Sequence, residues 1–471
     1  MSNHLESIEK SASQISLDSL KEGRIFNLPN GLNIFRSIRQ PNYPAHEIDQ
    51  MIEGSKRYIV PDIPYTGLGY EIEDELLLNA IREFGMQRLM YIPQLARLND
   101  PDNNPEKVKL TDNFLHNRFV HSLDVLAIAS VIGHNSNLNP REILSLQIAT
   151  LTHDILTAAG GDTTKLIDRK AFDEDANYPD HLNHPDIQAF CLNHDIDQPA
   201  VLETISGEGA LSDIRDLADK LAYVARDLQS FIAPSEAFPE HLKDLPSREV
   251  ISRMLHDGTK SPYDLFSVWE NMTIKDGILV CTKPEKLFDL LNVRALLFRD
   301  LYTNPRSRYN ESLINSLLTQ YLYERGIIKK EALTNPFDPG AIDQHLKNLL
   351  REWFDIESRH IWQKNYDPTY ASFDSPEVAR EFEKKELKKG NPFVRFEDAT
   401  KFFKPGTHFN VLAEDGTIMP YSEYDQIGTE KIINNGRPID PIRVYYLETK
   451  PDLSSPEMQM FMQWRLEKVD L

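Results

Sequence analysis

Apolar residues recur at steps of three and four through the first two thirds of the chain, and polar stretches that contain proline separate these runs. This spacing places apolar side chains on one face of an α-helix. The chain shows no internal repeat and no long low-complexity run. The pattern therefore predicts a mainly α protein whose body is a bundle of amphipathic helices.

One helix is expected to begin at Asn139. Asn139 suits the N-cap, Pro140 the first helical position, and Glu142, three residues after the cap, is placed to complete a capping box. Gly160 and Gly161 are expected to end this helix. Its apolar positions are Ile143, Leu144, Ile148, Leu151 and Ile155.

A second helix is predicted to begin near Ser212, with an apolar stripe on one face. Its other face carries acidic, basic and aromatic residues at steps of four, three and four, with Asp219 and Arg226 at the edges. Such a face is either solvated and laced with ion pairs or part of a site, and its tyrosine and interior aspartate favour a site. The apolar stripe is Ile214, Leu217, Leu221, Val224 and Leu228, and the polar series is Asp216, Lys220, Tyr223 and Asp227.

The last part of the chain has a different pattern. Residues 414–417, EDGT, are typical of a hairpin turn, and RVYYLE from Arg443 is typical of a strand. A closing helix is expected through Met458 to Trp464. The segment EFEKKELKKGNP from Glu381 is either a charged helix or a solvated loop, and we base no functional argument on it.

These differences divide the chain near residue 330. We expect an N-terminal extension, residues 1–73, that packs on the core. Residues 74–330 are predicted to form the main helical domain, and residues 331–471 a smaller α+β region. The total of 471 residues fits two or three units, because one domain takes roughly 150 residues.

The composition is that of a globular protein, with 40% hydrophobic and 27% charged residues. No apolar stretch reaches the length of about 18 residues that a membrane-spanning helix needs. The polar start of the sequence lacks the basic and apolar regions of a secretory signal. Cys191 and Cys281 form no CxxC pair, which indicates packing residues in a reducing compartment. We expect a cytoplasmic protein with no membrane partner.

The net charge of −21 argues against strong nucleic-acid binding, which requires Lys and Arg side chains to neutralise many phosphates. A small polyanionic substrate is compatible with this charge. Its binding would require a metal ion and a local cluster of basic side chains.

Histidine and carboxylate occur together at three separated places, all on predicted helices. His121 lies in HNRFVHSLDV, His153 and Asp154 in ATLTHDIL, and Asp219 in LADKLAYVARD. A single histidine on such a helix is more often a core residue than a ligand. The combination favours a metal site, because a buried aspartate is costly without a partner or an ion. Imidazole with carboxylate suits Mn, Fe, Co, Ni or Zn.

These segments carry a resemblance to a known family. HNRFVHSLDV, preceded by QRLMYIPQL at residues 87–95 and followed by LTHD and DKLAYVARD, resembles the HD-domain deoxynucleoside triphosphate triphosphohydrolases. The similarity is greatest to the branch whose animal members carry a sterile-alpha-motif domain. It runs in order from about residue 74 to about residue 325. The resemblance implies an HD-domain helical bundle, to which the C-terminal α+β region is added.

The resemblance also implies a ligand set and substrate contacts. A divalent ion (Mn, Fe, Co, Ni, Zn or Mg) would be held by His121, His153, Asp154 and Asp219. The partners implied are a nucleotide substrate and further copies of the chain in a homo-oligomer. KLFDLLNVRALLFRDLY resembles the family helix that carries another phosphate-binding arginine. The implied substrate residues are Arg118, Lys220 and Arg294 for phosphate, Tyr223 and Asp227 for the sugar, Gln94 for a sugar hydroxyl, and Tyr302 in the same site.

The segment after His153 and Asp154 departs from the family pattern. The family has a run such as HDxGHxPFxH, whereas this chain has HDILTAAGGD, so Thr157 and Asp162 stand where histidines are expected. The further His-Glu pair of the family appears here as His184 followed by Pro185 and Asp186. We therefore predict that His184, oriented by Asp186 or Asp162, supplies the acid/base function. The alternative interpretation is that His181, His184 and His194 are ordinary loop histidines.

Three functions remain open on the sequence. The leading one is metal-dependent hydrolysis of (deoxy)nucleoside triphosphates to nucleoside and tripolyphosphate. Another phosphohydrolase of the HD superfamily, a phosphodiesterase or nucleotidase, would share the metal ligands and release other products. A catalytically idle nucleotide-binding regulator would bind the ligand without turnover.

Overall fold

A computed structural model of the chain shows a helical body with three small sheets. The polar start of the sequence lies outside the described residues. The structure describes residues 24–27, 32–36, 58–73, 75–94, 116–232, 245–256, 265–305, 308, 316–354, 369–447 and 453–469.

The helices are numbered here in chain order over the described residues. In the first half they are α1 (Glu75–Glu83), α2 (Arg118–Asn135), α3 (Pro140–Thr152), α4 (Asp162–Lys165), α5 (Glu174–Leu182), α6 (Pro185–Asn193), α7 (Gln198–Ser206) and α8 (Gly209–Ile232). In the second half they are α9 (Pro246–His256), α10 (Pro284–Leu297), α11 (Ser316–Glu324), α12 (Glu331–Thr334), α13 (Asp343–Phe354), α14 (Pro376–Lys388), α15 (Tyr421–Tyr424), α16 (Gln426–Asn435) and α17 (Pro456–Val469). Short 3₁₀ segments cover Met86–Tyr91 and Ser267–Asn271, and a π-helical turn, Phe298–Tyr302, continues α10.

The strands form three sheets. The first is antiparallel with the order β1 (Arg24–Asn27), β2 (Leu32–Arg36), β4 (Leu68–Ile72), β3 (Tyr58–Ile63). The second has the order β10 (Ile418–Pro420), β9 (Asn410–Leu412), β6 (Ile278–Cys281), β5 (Met272–Lys275). The third has β11 (Ile442–Tyr446) between β7 (Thr369–Ser372) and β8 (Val394–Asp398). The mainly α fold class with a smaller α+β part is confirmed.

Helix α2 is the centre of the helical body. It is buried on all sides from Arg118 to Gly133, and it packs against α3 and α8. A helix that is apolar around its whole circumference has to lie inside a larger core. The same core takes in side chains from β2, β3 and β4, so the described part of the N-terminal extension packs on the helices.

The predicted start of α3 is confirmed. The Asn139 side chain accepts hydrogen bonds from the backbone N–H groups of Arg141 and Glu142, and the Glu142 carboxylate accepts one from the Asn139 N–H, at 2.9 to 3.0 Å. Pro140 is the first residue of the helix. These groups satisfy backbone donors that an isolated helix end leaves without partners.

The predicted end of α3 is wrong. The helix stops at Thr152 rather than at Gly160 and Gly161, so His153 and Asp154 follow it in a turn. Beyond Thr152 the backbone makes shorter-range bonds, from Ile155 N to Thr152 O and from Thr157 N to Asp154 O. The turn points the two side chains in directions that a continuous helix would not give.

The described residues on either side of residue 330 form shared structure. Strand β6 lies before that position and β9 lies after it, and the two pair in parallel within the second sheet. Helix α11 and the loop after it pack with Tyr445 and α17 in one apolar cluster. The division of the chain into units at residues 73 and 330 stays a prediction.

The C-terminal elements follow the sequence predictions. Residues 414–417 connect the antiparallel strands β9 and β10, and Gly416 takes a φ of 87°, which glycine adopts without steric cost. Strand β11 covers the predicted RVYY segment, and α17 covers Met458 to Trp464. The charged segment from Glu381 lies in α14 and the loop after it. Within the described part of the chain, no helix is long and apolar enough to cross a membrane.

A buried ion pair joins α2 to α8. The Arg226 guanidinium donates to both carboxylate oxygens of Asp124, at 2.7 and 3.1 Å, and the Tyr70 hydroxyl donates to the same carboxylate at 2.9 Å. All three side chains are shielded from solvent. A buried ion pair of this kind is stable only while each charged side chain keeps its partner, because an unpaired buried charge is costly.

Removing the Asp124 carboxylate is expected to lower the free energy of unfolding by about 3 to 5 kcal/mol, because Arg226 would stay buried without its partner. The measurement is urea unfolding of Asp124→Ala followed by circular dichroism. Glu249→Ala is the matched control, since it removes an exposed ion pair with Arg253 and should change stability little. Equal losses in the two variants would contradict this description of the pair.

Candidate metal centre

Three elements bring the predicted metal ligands together. His121 lies in the first turn of α2, whose N-cap, Asn117, accepts a hydrogen bond from Val120 N at 2.9 Å. His153 follows the last residue of α3, and Asp219 lies midway along α8. The packing of α3 and α8 against α2 therefore fixes the spacing of the three side chains.

The ligand atoms of His121, His153 and Asp219 all lie within 4.8 Å of one another. His121 Nε2 is 2.9 Å from Asp219 Oδ1, and His153 Nε2 is 3.8 Å from the same oxygen. Burial alone would raise the pKa of Asp219, but the hydrogen bond from His121 and the nearby His153 hold it well below its usual value. The two histidine nitrogens and the ionised Asp219 carboxylate are therefore close enough together to bind one ion.

The residues fit a divalent ion. His153 Nδ1 lies 2.8 Å from the Thr150 carbonyl oxygen, which fixes this nitrogen as the donor and leaves Nε2 with its lone pair. That Nε2 is buried and has no hydrogen-bond partner among the described residues. An imidazole held through its far nitrogen, with the near nitrogen aimed at a carboxylate, is the arrangement found at metal sites.

Asp154 lies at the edge of this cluster. Its carboxylate is 3.7 Å from His153 Nε2 and 3.8 Å from His121 Nε2, and it accepts a hydrogen bond from Arg118 at 2.9 Å. Burial opposes ionisation, but the Arg118 charge and the two histidines hold the pKa of Asp154 well below its usual range. The fourth predicted ligand is thus an ionised group next to the other three.

Arg88 holds the turn that carries His153 and Asp154, and sequence reasoning missed it. Its buried guanidinium donates to the carbonyl oxygens of Ile155 and Thr157, at 2.8 and 2.7 Å, and to that of Ala341 at 2.8 Å. Burial lowers the pKa of Arg88 to about 10. The guanidinium satisfies carbonyl groups that the end of α3 leaves without helical partners.

Three buried cations that the resemblance assigns to phosphate lie on the helices around the cluster. Arg118 contacts Asp154, and Lys220 follows Asp219 on α8. Arg294, on α10, donates from Nε to the hydroxyl of Tyr223, one turn after Asp219. In a chain of net charge −21 the structure gathers three cationic side chains at one place, each in contact with an acidic or hydroxyl group.

The predicted sugar-binding residues form a second group on the same face of α8. The Tyr302 hydroxyl donates to Asp227 Oδ2, and Asp227 Oδ1 is 3.8 Å from His116 Nδ1. The Tyr223 and Tyr302 rings meet edge to face, with centroids 6.0 Å apart. Gln94 joins this group through its backbone N–H, which donates to the His116 carbonyl at 3.0 Å. The Gln94 Oε1 atom is buried and has no hydrogen-bond partner among the described residues.

A segment from the C-terminal region, residues 403–409, covers the cations. The Lys404 carbonyl accepts from Arg294 Nη1 at 2.6 Å, and the Phe403 ring lies 5.5 Å from the Arg294 guanidinium. Lys220 Nζ lies 5.4 Å from the centre of the Phe409 ring. Sequence reasoning missed this segment, although FFKPGTHF combines aromatic and basic residues around a turn.

His184 and Asp186 lie in a neighbouring cleft of about 790 Å³, whose lining also includes Leu156, His181 and Phe337. His184 Nδ1 is 3.7 Å from Asp186 Oδ2, and its ring centroid is 5.0 Å from that of Phe337. Among the described residues, His184 forms no hydrogen bond or ion pair with the predicted metal ligands. Its predicted acid/base role stays a prediction.

Asp162, the other residue predicted to orient His184, lies beside Arg118 at the edge of the candidate metal centre. Its Oδ2 is 3.4 Å from Arg118 Nη2, and its Oδ1 is 3.6 Å from Lys165 Nζ. Lys165 in turn donates to Glu174 at 2.9 Å. Sequence reasoning missed Lys165 and Glu174, because only the turn after α3 brings α4 and α5 beside Arg118.

Solved structures share this fold. A hypothetical protein from Aquifex aeolicus superposes with a TM-score of 0.52 at 16% identity, over 85% of this chain and 97% of that one. A phosphohydrolase from Bacteroides thetaiotaomicron superposes with a TM-score of 0.53 at 15% identity, over 83% of this chain and 98% of that one. No protein-family model matches the chain, and no curated protein matches it significantly in sequence. The chain thus shares its fold with these two proteins.

Purified protein loaded with Mn²⁺ is expected to retain the ion after desalting, and His153→Ala and Asp219→Ala are expected to lose it because each removes a ligand atom. Elemental analysis by mass spectrometry measures the bound ion. His194→Ala is the matched control, since this histidine packs on Phe190 away from the cluster. Ion retention in both ligand variants at the wild-type level would contradict the site.

Proposed function

We propose that this chain is a metal-dependent phosphohydrolase that converts (deoxy)nucleoside triphosphates to nucleoside and tripolyphosphate. The observation that carries the proposal is the buried cluster of His121, His153 and Asp219, with Asp154 and Arg118 directly beside it. The fold shared with a phosphohydrolase supports the class of reaction. The nucleotide specificity rests on the resemblance of the motifs.

The side chains of His121, His153, Asp154 and Asp219 would hold the ion. When bound there, a divalent ion would polarise a phosphoryl oxygen and lower the pKa of a water ligand. The protein's own part is to keep these ligands ionised or neutral as required. Arg118 and the histidines keep Asp154 ionised, and the Thr150 carbonyl fixes the orientation of the His153 ring through its Nδ1 atom.

Arg118, Lys220 and Arg294 would bind the phosphate chain. In this structure each already has partners: Asp154 and Asp162 for Arg118, Asp216 for Lys220, and Tyr223 for Arg294. These partners satisfy the hydrogen-bond donors of the buried cations, and phosphate oxygens would replace or join them on binding. Each charge-assisted contact to phosphate contributes about 1.5 to 3 kcal/mol.

Tyr223, Tyr302 and Asp227 would bind the sugar. The Asp227 carboxylate, on α8, accepts a hydrogen bond from the Tyr302 hydroxyl in the π-helical turn after α10, so the two groups form a fixed polar wall. A hydroxyl on the sugar could donate to the buried oxygen of Gln94, which has no partner of its own among the described residues. A site with such a group discriminates strongly between ligands that satisfy it and ligands that do not.

One observation favours a second candidate. Thr157 and Asp162 stand where the family has histidines, and the Thr157 hydroxyl is buried without a hydrogen-bond partner among the described residues. A nucleotide-binding regulator without turnover would tolerate these changes. A phosphodiesterase or nucleotidase would use the same metal ligands and give monophosphate or pyrophosphate products.

The test is to incubate metal-loaded protein with a panel of deoxynucleoside and ribonucleoside triphosphates and to identify the products by anion-exchange chromatography. Tripolyphosphate with free nucleoside is expected for the wild type. Asp154→Ala should reduce the rate by at least about 100-fold, because it removes a predicted ligand and the nearer of the two acidic partners of Arg118.

Asp374→Ala, which removes an exposed carboxylate, is the matched control and should keep the wild-type rate. Monophosphate or pyrophosphate as the product would replace the proposal by the other phosphohydrolase. Nucleotide-induced thermal stabilisation without any product would replace it by the regulator.

A further inference from the structure

Glu174 is a buried carboxyl group at the start of α5. Asp173 caps this helix by accepting a hydrogen bond from Ala176 N at 3.0 Å, and Glu174 is its first residue. The Glu174 side chain is only 10% exposed. Its Oε2 accepts from Lys165 Nζ at 2.9 Å, whereas Oε1 is buried with no hydrogen-bond partner among the described residues.

Contacts connect Glu174 to the candidate metal centre. Lys165 lies 3.6 Å from Asp162, Asp162 lies 3.4 Å from Arg118, and Arg118 pairs with Asp154 at 2.9 Å. This series of contacts places Glu174 on the Arg118 side of the candidate metal centre. His184 lies in the neighbouring cleft.

The charges around Glu174 come from α2, α4, the 3₁₀ segment before α2 and the turn after α3. Burial is the largest influence on the pKa of Glu174 and raises it, and the negative charge of Asp154 raises it further. The positive charges of Lys165 and Arg118 lower this pKa, and the net effect is a raised value. Arg88 is also close enough to interact with the Glu174 carboxylate. The balance favours a neutral carboxyl more than an exposed glutamate would.

Hydrolysis of a 5′-phosphate ester needs a proton donor, because the nucleoside leaves phosphorus as an alkoxide. The donor must be close to the phosphate, shielded from water and protonated before the reaction. We infer that Glu174 delivers this proton to the departing 5′-oxygen, from the partnerless Oε1 edge of its carboxyl group. This inference rests on the proposed function and assigns to Glu174 the step that the sequence suggested for His184.

The step balances as an ordinary hydrolysis. Water forms the new bond to phosphorus and releases a proton to solvent, while the bond from phosphorus to the 5′-oxygen breaks. The electron pair of that bond takes the proton from Glu174. The resulting carboxylate is paired with Lys165, and a proton from solvent restores the acid before the next turnover.

The test compares two substrates that differ in one atom: the nucleotide that the wild type hydrolyses best, and its analogue with sulfur in place of the bridging 5′-oxygen. A thiolate leaves without protonation. Glu174→Gln is expected to slow kcat for the oxygen ester by about 10² to 10⁴-fold and to stay within a few-fold of wild type on the sulfur analogue. Glu208→Gln, an exposed glutamate, is the matched control for both substrates.

A second readout does not depend on turnover. The infrared difference spectrum of wild type minus Glu174→Gln at pH 7 should contain the C=O stretch of a neutral carboxylic acid. Equal circular dichroism and equal bound metal in the two proteins would show that the variant is folded and loaded.

The outcomes separate the two proposals. A wild type that hydrolyses no 5′-ester overturns the proposed function and this inference with it. An active wild type whose Glu174→Gln variant keeps its rate on the oxygen ester, or loses both substrates equally, overturns the inference alone. Absence of the carboxylic acid band also overturns the inference. The same follows if His184→Ala, rather than Glu174→Gln, loses rate on the oxygen ester and keeps it on the sulfur analogue.

Discussion

The cost of burying carboxylates in a helix bundle is the constraint on which the rest of the structure depends. Asp154 is almost fully buried, and Asp219 projects from α8 toward two buried histidines. Taking one such charge out of water without a partner costs several kcal/mol. The partners come from α2 and from the turn after α3, so these charges connect both elements to α8. The same arrangement that stabilises the bundle assembles the candidate metal ligands.

The constraint extends outward from the ligands. Arg118 balances Asp154 and is itself held by Asp162, which is near Lys165, which pairs with Glu174. Positive and negative groups alternate along this series, so a change in one partner alters the charge balance of the next. A substrate phosphate would enter such a network beside Arg118, and the same charge balance would set the protonation of Glu174.

Local chemistry explains what the sequence predicted well. The capping box at Asn139 and the turn with Gly416 depend on residues within a few positions of one another, and the polar face of α8 follows from helical spacing alone. The sequence singled out His121, His153 and Asp219, which the structure brings together, because histidine and carboxylate on buried helices are costly without partners.

Tertiary structure decided what the sequence did not predict. Helix α3 stops at Thr152, and Arg88, 65 positions before His153 in the chain, donates to the carbonyl groups of Ile155 and Thr157 in the turn that follows. Residues 403–409 cover Lys220 and Arg294 through a sheet that joins β6 to β9. Glu174 reads as one acidic residue among several in its segment, and only its burial beside Lys165 distinguishes it.

The central claim is that His121, His153 and Asp219 bind a catalytic divalent ion. The most direct measurement is anomalous X-ray diffraction from crystals grown with Mn²⁺, recorded on both sides of the manganese absorption edge. The account predicts one strong anomalous peak within coordination distance of His121 Nε2, His153 Nε2 and an Asp219 oxygen, with Asp154 beside it. Manganese bound elsewhere, with these three side chains still paired only to one another, would contradict it.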